Sequence, residues 1–225
     1  EWIKFKNKNK LYGISPVTGG GSAQAEFELL CGVPSIIEYG TEFNRMGGGY
    51  TNCLPNYLKK FDYKTIASQP IYGSFFNIKK AYTSIGFDEI YLLNNFEKSD
   101  MRNGWLSDKS FLTQHFEYLK KSLFNEKPIF NYVFAVGCHN TLGQGQSNKP
   151  LIEYSNSSTL EESLRCNTET IQHLTEYVNK ILALDPKSLI FILSDHYPPG
   201  ITSDKYIEAG YKCNTNHQFK RLSTN

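Results

Sequence analysis

The sequence predicts an α/β fold with a mostly parallel central sheet sandwiched by helices. Helical and strand patterns alternate along the 225 residues, as they do in chains that wind helices around a parallel sheet. The runs 130–136 and 188–194 are almost uniformly apolar, which indicates strands covered on both faces. With 40% hydrophobic residues the chain can bury a core, and we expect one domain over residues 1–225.

The first predicted helix covers residues 23–30, which are good helix formers. Gly32 is suited to leaving a helix and Pro34 cannot continue one, so we expect the helix to end there. Three glycines, residues 19–21, precede it and allow unusual backbone angles. They bring Ser22 to a junction between loop and helix.

Apolar spacing and turn residues predict the remaining elements. The predicted helices cover 52–61, 107–123 and 160–184, with a further short helix within 72–82. The predicted strands cover 63–68, 89–93, 130–136 and 188–194. In the helix over 52–61 the residues Leu54, Tyr57, Leu58 and Phe61 share one face, which is the pattern of an amphipathic helix.

Composition excludes some classes of function. Lysine and arginine number 24 against 22 aspartates and glutamates, and no block of one charge is long enough to be a nucleic-acid arm. We therefore expect no nucleic-acid partner. No apolar run reaches the roughly 18 residues that a membrane span requires.

The chain has five cysteines, so at least one has no partner within the chain. All five can be small buried hydrophobic residues. A disulfide between Cys166 and Cys213 can form in an oxidising compartment, but the spacing does not establish it. The cysteines leave the compartment open.

Ser22 allows two interpretations. A serine at the start of a helix is commonly an N-cap that accepts a backbone N–H bond of the first turn. The same junction also suits chemistry, because the free N–H groups at a helix N-terminus attract anions. The glycine-serine stretch alone leaves both open.

Polar residues follow both apolar runs. Asp195 and His196 come after 188–194 and offer a carboxylate oxygen and an imidazole nitrogen, a ligand mixture for Zn²⁺ or Mn²⁺. A turn-forming aspartate beside an ordinary exposed histidine explains the same pair. His139 follows 130–136 and is by itself equally a loop histidine. Because ligand sites gather at the carboxyl ends of strands in open α/β sheets, the joint pattern suggests serine attack on a phosphorus or sulfur ester beside a metal.

Segments spread over residues 11–200 carry a family resemblance. The first are Ser15-Pro16, Gly19-Gly20-Gly21-Ser22, Ala25-Glu26-Phe27-Glu28 and Gly32-Val33-Pro34. The later ones are Asn52-Cys53-Leu54-Pro55, Tyr63-Lys64-Thr65, Phe75-Phe76-Asn77, Gly86-Phe87-Asp88, Gly104-Trp105 and Ser194-Asp195-His196. In this order they resemble the lipoteichoic-acid-synthase-like sulfatase family of the alkaline phosphatase superfamily. A colinear match is more specific than any one motif.

The resemblance implies an alkaline-phosphatase-like fold and a role for each matching residue. Ser22 stands where the family has its nucleophile, usually threonine, and is expected to form a covalent phospho-enzyme. Asp195 and His196 are expected to bind a divalent metal together with Ser22 Oγ. The expected metal is Mn²⁺ (manganese), and Zn²⁺ or Mg²⁺ are the alternatives. Trp105 and His139 are expected to line the pocket for the transferred group.

The implied activity is a metal-dependent phosphotransferase. It moves a phosphoglycerol or phosphoethanolamine group from a phospholipid donor to a glycan or lipid acceptor of the cell envelope. Family members carry membrane helices before the catalytic domain. The resemblance therefore implies a domain at the cell membrane, on its periplasmic or extracellular side, with membrane association through segments outside this chain.

The chain departs from the family pattern at several places. Gln69 stands in place of a histidine, Ile78 in place of an arginine, and the glycine after Trp105 is missing. Nothing in residues 1–13 matches the strand that carries the family's remaining metal-binding acid. We therefore expect a chain truncated at its N-terminus. The C-terminus ends at no obvious structural stop and is open to the same interpretation.

Two alternatives stay open beside a purely structural interaction domain, which predicts no pocket near Ser22. One is a hydrolase of the same superfamily, a phosphodiesterase or a sulfatase. Sulfatase chemistry ranks low because the residues after Ser22 lack the proline and arginine of a formylglycine motif. The other is a catalytically silent domain that binds a glycan or a lipid head group, which the unmatched acid favours.

Overall fold

The computed structural model of the chain describes residues 21–35, 43–44, 52–102, 104–123, 127–136 and 158–196, with side chains of the last range from residue 165 onward. Of these, residues up to 136 and residues 170–196 belong to one compact unit, and residues 158–169 to a second. A single domain over 1–225 stays a prediction. None of the helices in the described ranges is long and apolar enough to span a membrane.

The secondary structure largely follows the predicted order. The helices are α1 (Ser22–Cys31), α2 (Leu54–Lys59), α3 (Ile78–Ile85), α4 (Asp108–Leu123) and α5 (Ser158–Leu184). The strands are β1 (Lys64–Ser68), β2 (Glu89–Tyr91), β3 (Met101–Arg102), β4 (Trp105–Leu106) and β5 (Ile129–Val133). Two short 3₁₀ turns cover Phe75–Asn77 and Leu93–Asn95.

The main sheet is parallel, with the strand order β2-β1-β5. Ile66 of β1 is opposite Glu89 of β2 and Asn131 of β5. β3 and β4 form a separate antiparallel pair. The predicted α/β class with a parallel sheet is confirmed.

Helices cover both faces of this sheet. Successive residues of a strand point to opposite faces, and β1 shows this directly. Ala67 belongs to one apolar cluster with residues of α1 and α3, whereas Ile66 belongs to a second cluster with residues of α4 and α5. The fold is therefore a sheet between two helical layers.

The ends of α1 are set by glycines. Gly21 is the N-cap, with extended backbone, and the structure has no side-chain cap there. Ser22 is thus the first residue inside the helix, and the interpretation of Ser22 as the N-cap is wrong. Gly32 ends the helix as predicted, at φ 66°, and its N–H donates to the Glu28 carbonyl at 2.9 Å.

Three predictions about burial are wrong for the described structure. The predicted apolar face of 52–61 is largely exposed: Tyr57 of α2 is 51% exposed, and Phe61, which follows the helix, is 58% exposed. The predicted central strand 130–136 is shorter, as β5, and lies at an edge of the described sheet. The run 188–194 forms no strand with the described residues, and Leu189 is 81% exposed. Hydrophobicity predicts a preference for burial, but burial also needs a neighbour that the pattern does not specify.

A disulfide joins Cys31 at the end of α1 to Cys53 just before α2. The sequence analysis did not predict this pair. Cys166 is also disulfide-bonded, and its proposed partner Cys213 lies outside the described residues. The interpretation of every cysteine as a free buried thiol is therefore wrong.

We expect the double variant Cys31→Ala, Cys53→Ala to have a free energy of unfolding lower by about 3 kcal/mol. The bond closes a loop between residues 22 positions apart, which restricts the unfolded chain. Urea unfolding measures the difference. The difference in the free energy of unfolding between variant and parent should become smaller when both are unfolded with a reductant. Equal midpoints without reductant would contradict the prediction.

Two glycines should respond differently to alanine. Gly32 has a left-handed backbone, but an added Cβ would meet nothing within 4 Å, so Gly32→Ala should cost about 1 kcal/mol. Gly86 also has a positive φ, and its Cβ would lie 2.1 Å from Asn56 Oδ1. Gly86→Ala should therefore lower the free energy of unfolding further than Gly32→Ala. Urea unfolding of both variants tests this order, with Gly32→Asn as a control that tolerates the left-handed backbone.

Candidate active site

The structure brings together three residues that the sequence analysis selected. Ser22 Oγ donates a hydrogen bond to Asp195 Oδ2 at 2.7 Å and lies 3.3 Å from His196 Nε2. His196 Nε2 is itself 3.3 Å from Asp195 Oδ2. All three side chains are partly buried. Residues from opposite ends of the chain thus meet in one cluster.

Ser22 owes its position to the packing of α1. Ala23, Phe27 and Leu30 are buried on one side of the helix and belong to the same apolar cluster as Ala67 of β1. This packing holds α1 against the sheet. Because Ser22 begins the helix, its hydroxyl lies at the helix N-terminus, an environment that favours a bound anion.

The three atoms form a mixed donor set. A hydroxyl oxygen, a carboxylate oxygen and an imidazole nitrogen are ligand types that Zn²⁺ and Mn²⁺ accept. Within the described ranges, no group of three or more His, Cys, Asp or Glu residues is placed to hold a metal. The binding of a metal by Asp195 and His196, with Ser22 Oγ as the third donor atom, stays a prediction.

A buried polar cluster lies beside these residues, and we call it the Glu26 cluster. It consists of Glu26 of α1, Gln69 after β1, Tyr82 of α3 and Tyr132 of β5. The Tyr82 hydroxyl donates to Glu26 Oε2 and lies 3.1 Å from Gln69 Oε1. The Tyr132 hydroxyl donates to Glu26 Oε2 at 3.2 Å. The cluster therefore ties α1 to three other parts of the fold.

The environment of Glu26 disfavours a charge. Burial raises the pKa of the Glu26 carboxyl from 4.5 to about 8. The hydrogen bonds from Tyr82 and Tyr132 act in the opposite direction but are smaller, and the negative charge of Asp195 adds to the increase. Burial therefore favours the neutral form of the Glu26 carboxyl.

The two predicted substrate-binding residues have different outcomes. Trp105 lies in β4, and its ring meets the ring of Phe75 edge-on, with centroids 5.1 Å apart. It packs against the same apolar cluster as α1. Its role in substrate binding stays a prediction. His139 lies outside the described residues.

Sequence reasoning missed the Glu26 cluster as a functional feature. The sequence analysis named Glu26 only as part of a motif that carries the family resemblance. One signal was available: a carboxylate four residues after Ser22 lies on the same side of the helix, and this side also carries Ala23, Phe27 and Leu30. A glutamate among buried positions needs a hydrogen-bond partner within the protein.

Solved structures resemble this fold. A lipoteichoic acid synthase, LtaP, from Listeria monocytogenes aligns with a TM-score of 0.66 and 21% identity, over 76% of this chain and 42% of that one. An alkaline phosphatase superfamily protein from Vibrio parahaemolyticus aligns with a TM-score of 0.59 and 17% identity, over 74% and 41%. The phosphoglycerol transferase GacH from Streptococcus pyogenes, bound to sn-glycerol-1-phosphate, aligns with a TM-score of 0.52 and 21% identity, over 76% and 47%.

At these identities the likeness shows the fold alone. The chain spans less than half of the length of each of these three structures. No curated protein matches the sequence significantly. The sequence profile of the sulfatase family, however, matches residues 8–221, which is nearly the whole chain. The chain therefore belongs to the sulfatase family and has the α/β fold of the alkaline phosphatase superfamily.

Proposed function

We propose that this chain is the catalytic part of a metal-dependent phosphotransferase. It transfers a phosphoglycerol or phosphoethanolamine group from a phospholipid to a glycan or lipid of the cell envelope. The observation that carries the proposal is the contact of Ser22 Oγ with both Asp195 and His196 at the start of a helix. The likeness to a lipoteichoic acid synthase and a phosphoglycerol transferase supports the choice of the transferred group.

The residues present fit a divalent cation. The distances between the three donor atoms, Ser22 Oγ, Asp195 Oδ2 and His196 Nε2, range from 2.7 to 3.3 Å. These donor types suit Mn²⁺ first, with Zn²⁺ or Mg²⁺ as alternatives. When bound, such a cation would neutralise negative charge on the phosphate oxygens and on Ser22 Oγ.

The reaction has two steps on Ser22. In the first, Ser22 gives up its proton along the hydrogen bond to Asp195 Oδ2, and Oγ attacks the donor phosphorus. A P–O bond to Oγ forms, the P–O bond to the diacylglycerol breaks, and the departing oxygen takes up the proton that Asp195 received from Ser22. In the second, the acceptor hydroxyl attacks the same phosphorus and gives its proton to Asp195, which returns it to Ser22 Oγ as the P–O bond to Ser22 breaks. Backbone N–H groups of the first turn of α1 favour the anionic oxygens in both steps.

The disulfide supports a location outside the cytoplasm. Disulfides such as Cys31–Cys53 form and persist in oxidising compartments and are rare in the cytosol. A phospholipid donor requires work at a membrane surface. We therefore place the domain at the cell membrane, on its periplasmic or extracellular side.

The second candidate is a silent domain that binds a glycan or head group. One observation favours it: nothing in residues 1–13 matches the strand that carries the family's remaining metal-binding acid. Such a domain would keep the phosphate-binding end of α1 without turnover. Metal binding separates the two candidates.

We expect Ser22→Ala to form no covalent phospho-adduct and to lower turnover by at least about 1000-fold, because it removes the nucleophile. Ser22→Thr restores a hydroxyl and should still form the adduct. Intact-mass spectrometry and release of labelled diacylglycerol, from phosphatidylglycerol and phosphatidylethanolamine with Mn²⁺, measure both. Ser74→Ala, on the exposed surface, is the matched control. An adduct in Ser22→Ala would exclude Ser22 as the nucleophile.

The same assay separates transfer from hydrolysis. Diacylglycerol release that rises with an added alcohol or glycan acceptor, together with a phosphorylated acceptor, supports the transferase. Release that is indifferent to the acceptor identifies the hydrolase alternative.

We expect Asp195→Asn to weaken Mn²⁺ binding at least about tenfold, because an amide oxygen replaces a charged ligand. Isothermal titration calorimetry measures the affinity without any substrate. Asp62→Asn is the matched control. The Asp62 carboxylate pairs with Lys127 at a distance of 2.5 Å, and this pair does not belong to the candidate site. Equal affinities of the parent and Asp195→Asn would remove Asp195 as a ligand. No binding by the parent at millimolar Mn²⁺ or Zn²⁺ would favour the silent domain.

A further inference from the structure

The Glu26 cluster lies one helical turn along α1 from the candidate nucleophile. Glu26 follows Ser22 by four residues, so both lie on one side of α1, one turn apart. Glu26 and Tyr82 are almost completely buried, with exposed fractions of 2% and 0%. A glutamate in this position has no access to water and must satisfy its oxygens within the protein.

The protons of this cluster can be counted. The Tyr82 hydroxyl has a single proton but lies within hydrogen-bond distance of two acceptors, Glu26 Oε2 and Gln69 Oε1. With Glu26 ionised, one of these two contacts has no proton. A proton on Glu26 Oε2 completes the set, because the first of these bonds can then reverse: Glu26 donates to the Tyr82 oxygen, and Tyr82 donates to Gln69.

Among the described residues, no positive charge compensates an ionised Glu26. The titratable groups of these residues that act on it are Tyr82 of α3, Tyr132 of β5 and Asp195, and none of these is a cation. Its other oxygen, Oε1, is buried and has no hydrogen-bond partner among the described residues. A second negative charge here would repel the carboxylate of Asp195.

We propose that Glu26 is a protonated positioning residue, whose carboxylic acid ties the first turns of α1 to α3 and β5 and so holds Ser22 against Asp195. The effect on catalysis rests on the proposed function of Ser22, whereas the proton and the tie do not. Burial, which raises the pKa of Glu26, acts in the same direction.

The first experiment compares the parent chain with Glu26→Gln and with the exposed control Glu117→Gln, all with a chelator present. Infrared difference spectra should show the carbonyl band of a buried carboxylic acid at pH 6 in the parent and in the control, and none in Glu26→Gln. The band should titrate near pH 8. An unchanged spectrum in Glu26→Gln would overturn the proton on Glu26.

Thermal unfolding gives an independent measurement of that proton. A carboxyl whose pKa is higher in the folded than in the unfolded state stabilises the protein below about pH 4.5 and loses this contribution as the pH rises to about 8. The Tm of Glu26→Gln minus that of the parent should therefore increase with pH across this window. A constant difference would overturn the proposal.

The positioning role is tested by Glu26→Ala and its rescue by Glu26→Gln. Amide hydrogen exchange in α1 should accelerate at least about tenfold in Glu26→Ala and stay near the parent rate in Glu26→Gln, because glutamine is neutral and keeps a donor and an acceptor. The kcat should fall about tenfold or more in Glu26→Ala at little changed KM. Slow exchange in Glu26→Ala would overturn the positioning role, whereas an inactive parent would overturn the proposed function alone.

Discussion

The hydrogen bond from Ser22 Oγ to Asp195 Oδ2 is the constraint on which the candidate site depends. It joins residues 173 positions apart, and neither lies in a strand. The bond requires α1 to lie on the sheet with its first turn directed at the segment that follows α5. Apolar packing of Phe27 and Leu30 helps to hold α1 against the sheet, and it is not directional. The hydrogen bonds of Glu26 supply the direction that apolar packing lacks.

Two carboxyl groups lie near one another in this site, and two negative charges there would repel each other. The different environments of the two groups avoid this repulsion. Glu26 is sealed from water among tyrosines, so burial keeps its proton in place. Asp195 lies at the partly exposed surface of the cluster, where it accepts the Ser22 hydroxyl and contacts His196. With the Glu26 carboxyl inside and the Asp195 carboxyl beside Ser22 and His196, Asp195 is available to a cation. Neither residue type alone would indicate this difference.

The described fold also exposes apolar groups that would be buried in an ordinary core. Leu189, Phe191 and Leu193 are mostly exposed in the segment that leads to Asp195, and Tyr57 and Phe61 are exposed around α2. Helix α2 forms although its apolar face is exposed, because the Cys31–Cys53 bond and the buried Pro55 already hold it near α1. For 188–194, none of the described strands pairs with the segment, so its strand tendency is not expressed.

Much of this protein followed from the sequence by itself: the α/β class, the extent of α1, α4 and α5, the end of α1 at Gly32, and the selection of Ser22, Asp195 and His196. These features depend on local propensity, hydrophobic period and a colinear motif order, which the sequence contains directly. Only the tertiary structure decided that Gly21 rather than Ser22 caps α1, that Cys31 pairs with Cys53, and that Glu26 meets Tyr82 and Tyr132. Pairings between distant residues depend on how helices lie on the sheet, and a local pattern specifies which face is apolar but not which partner covers it.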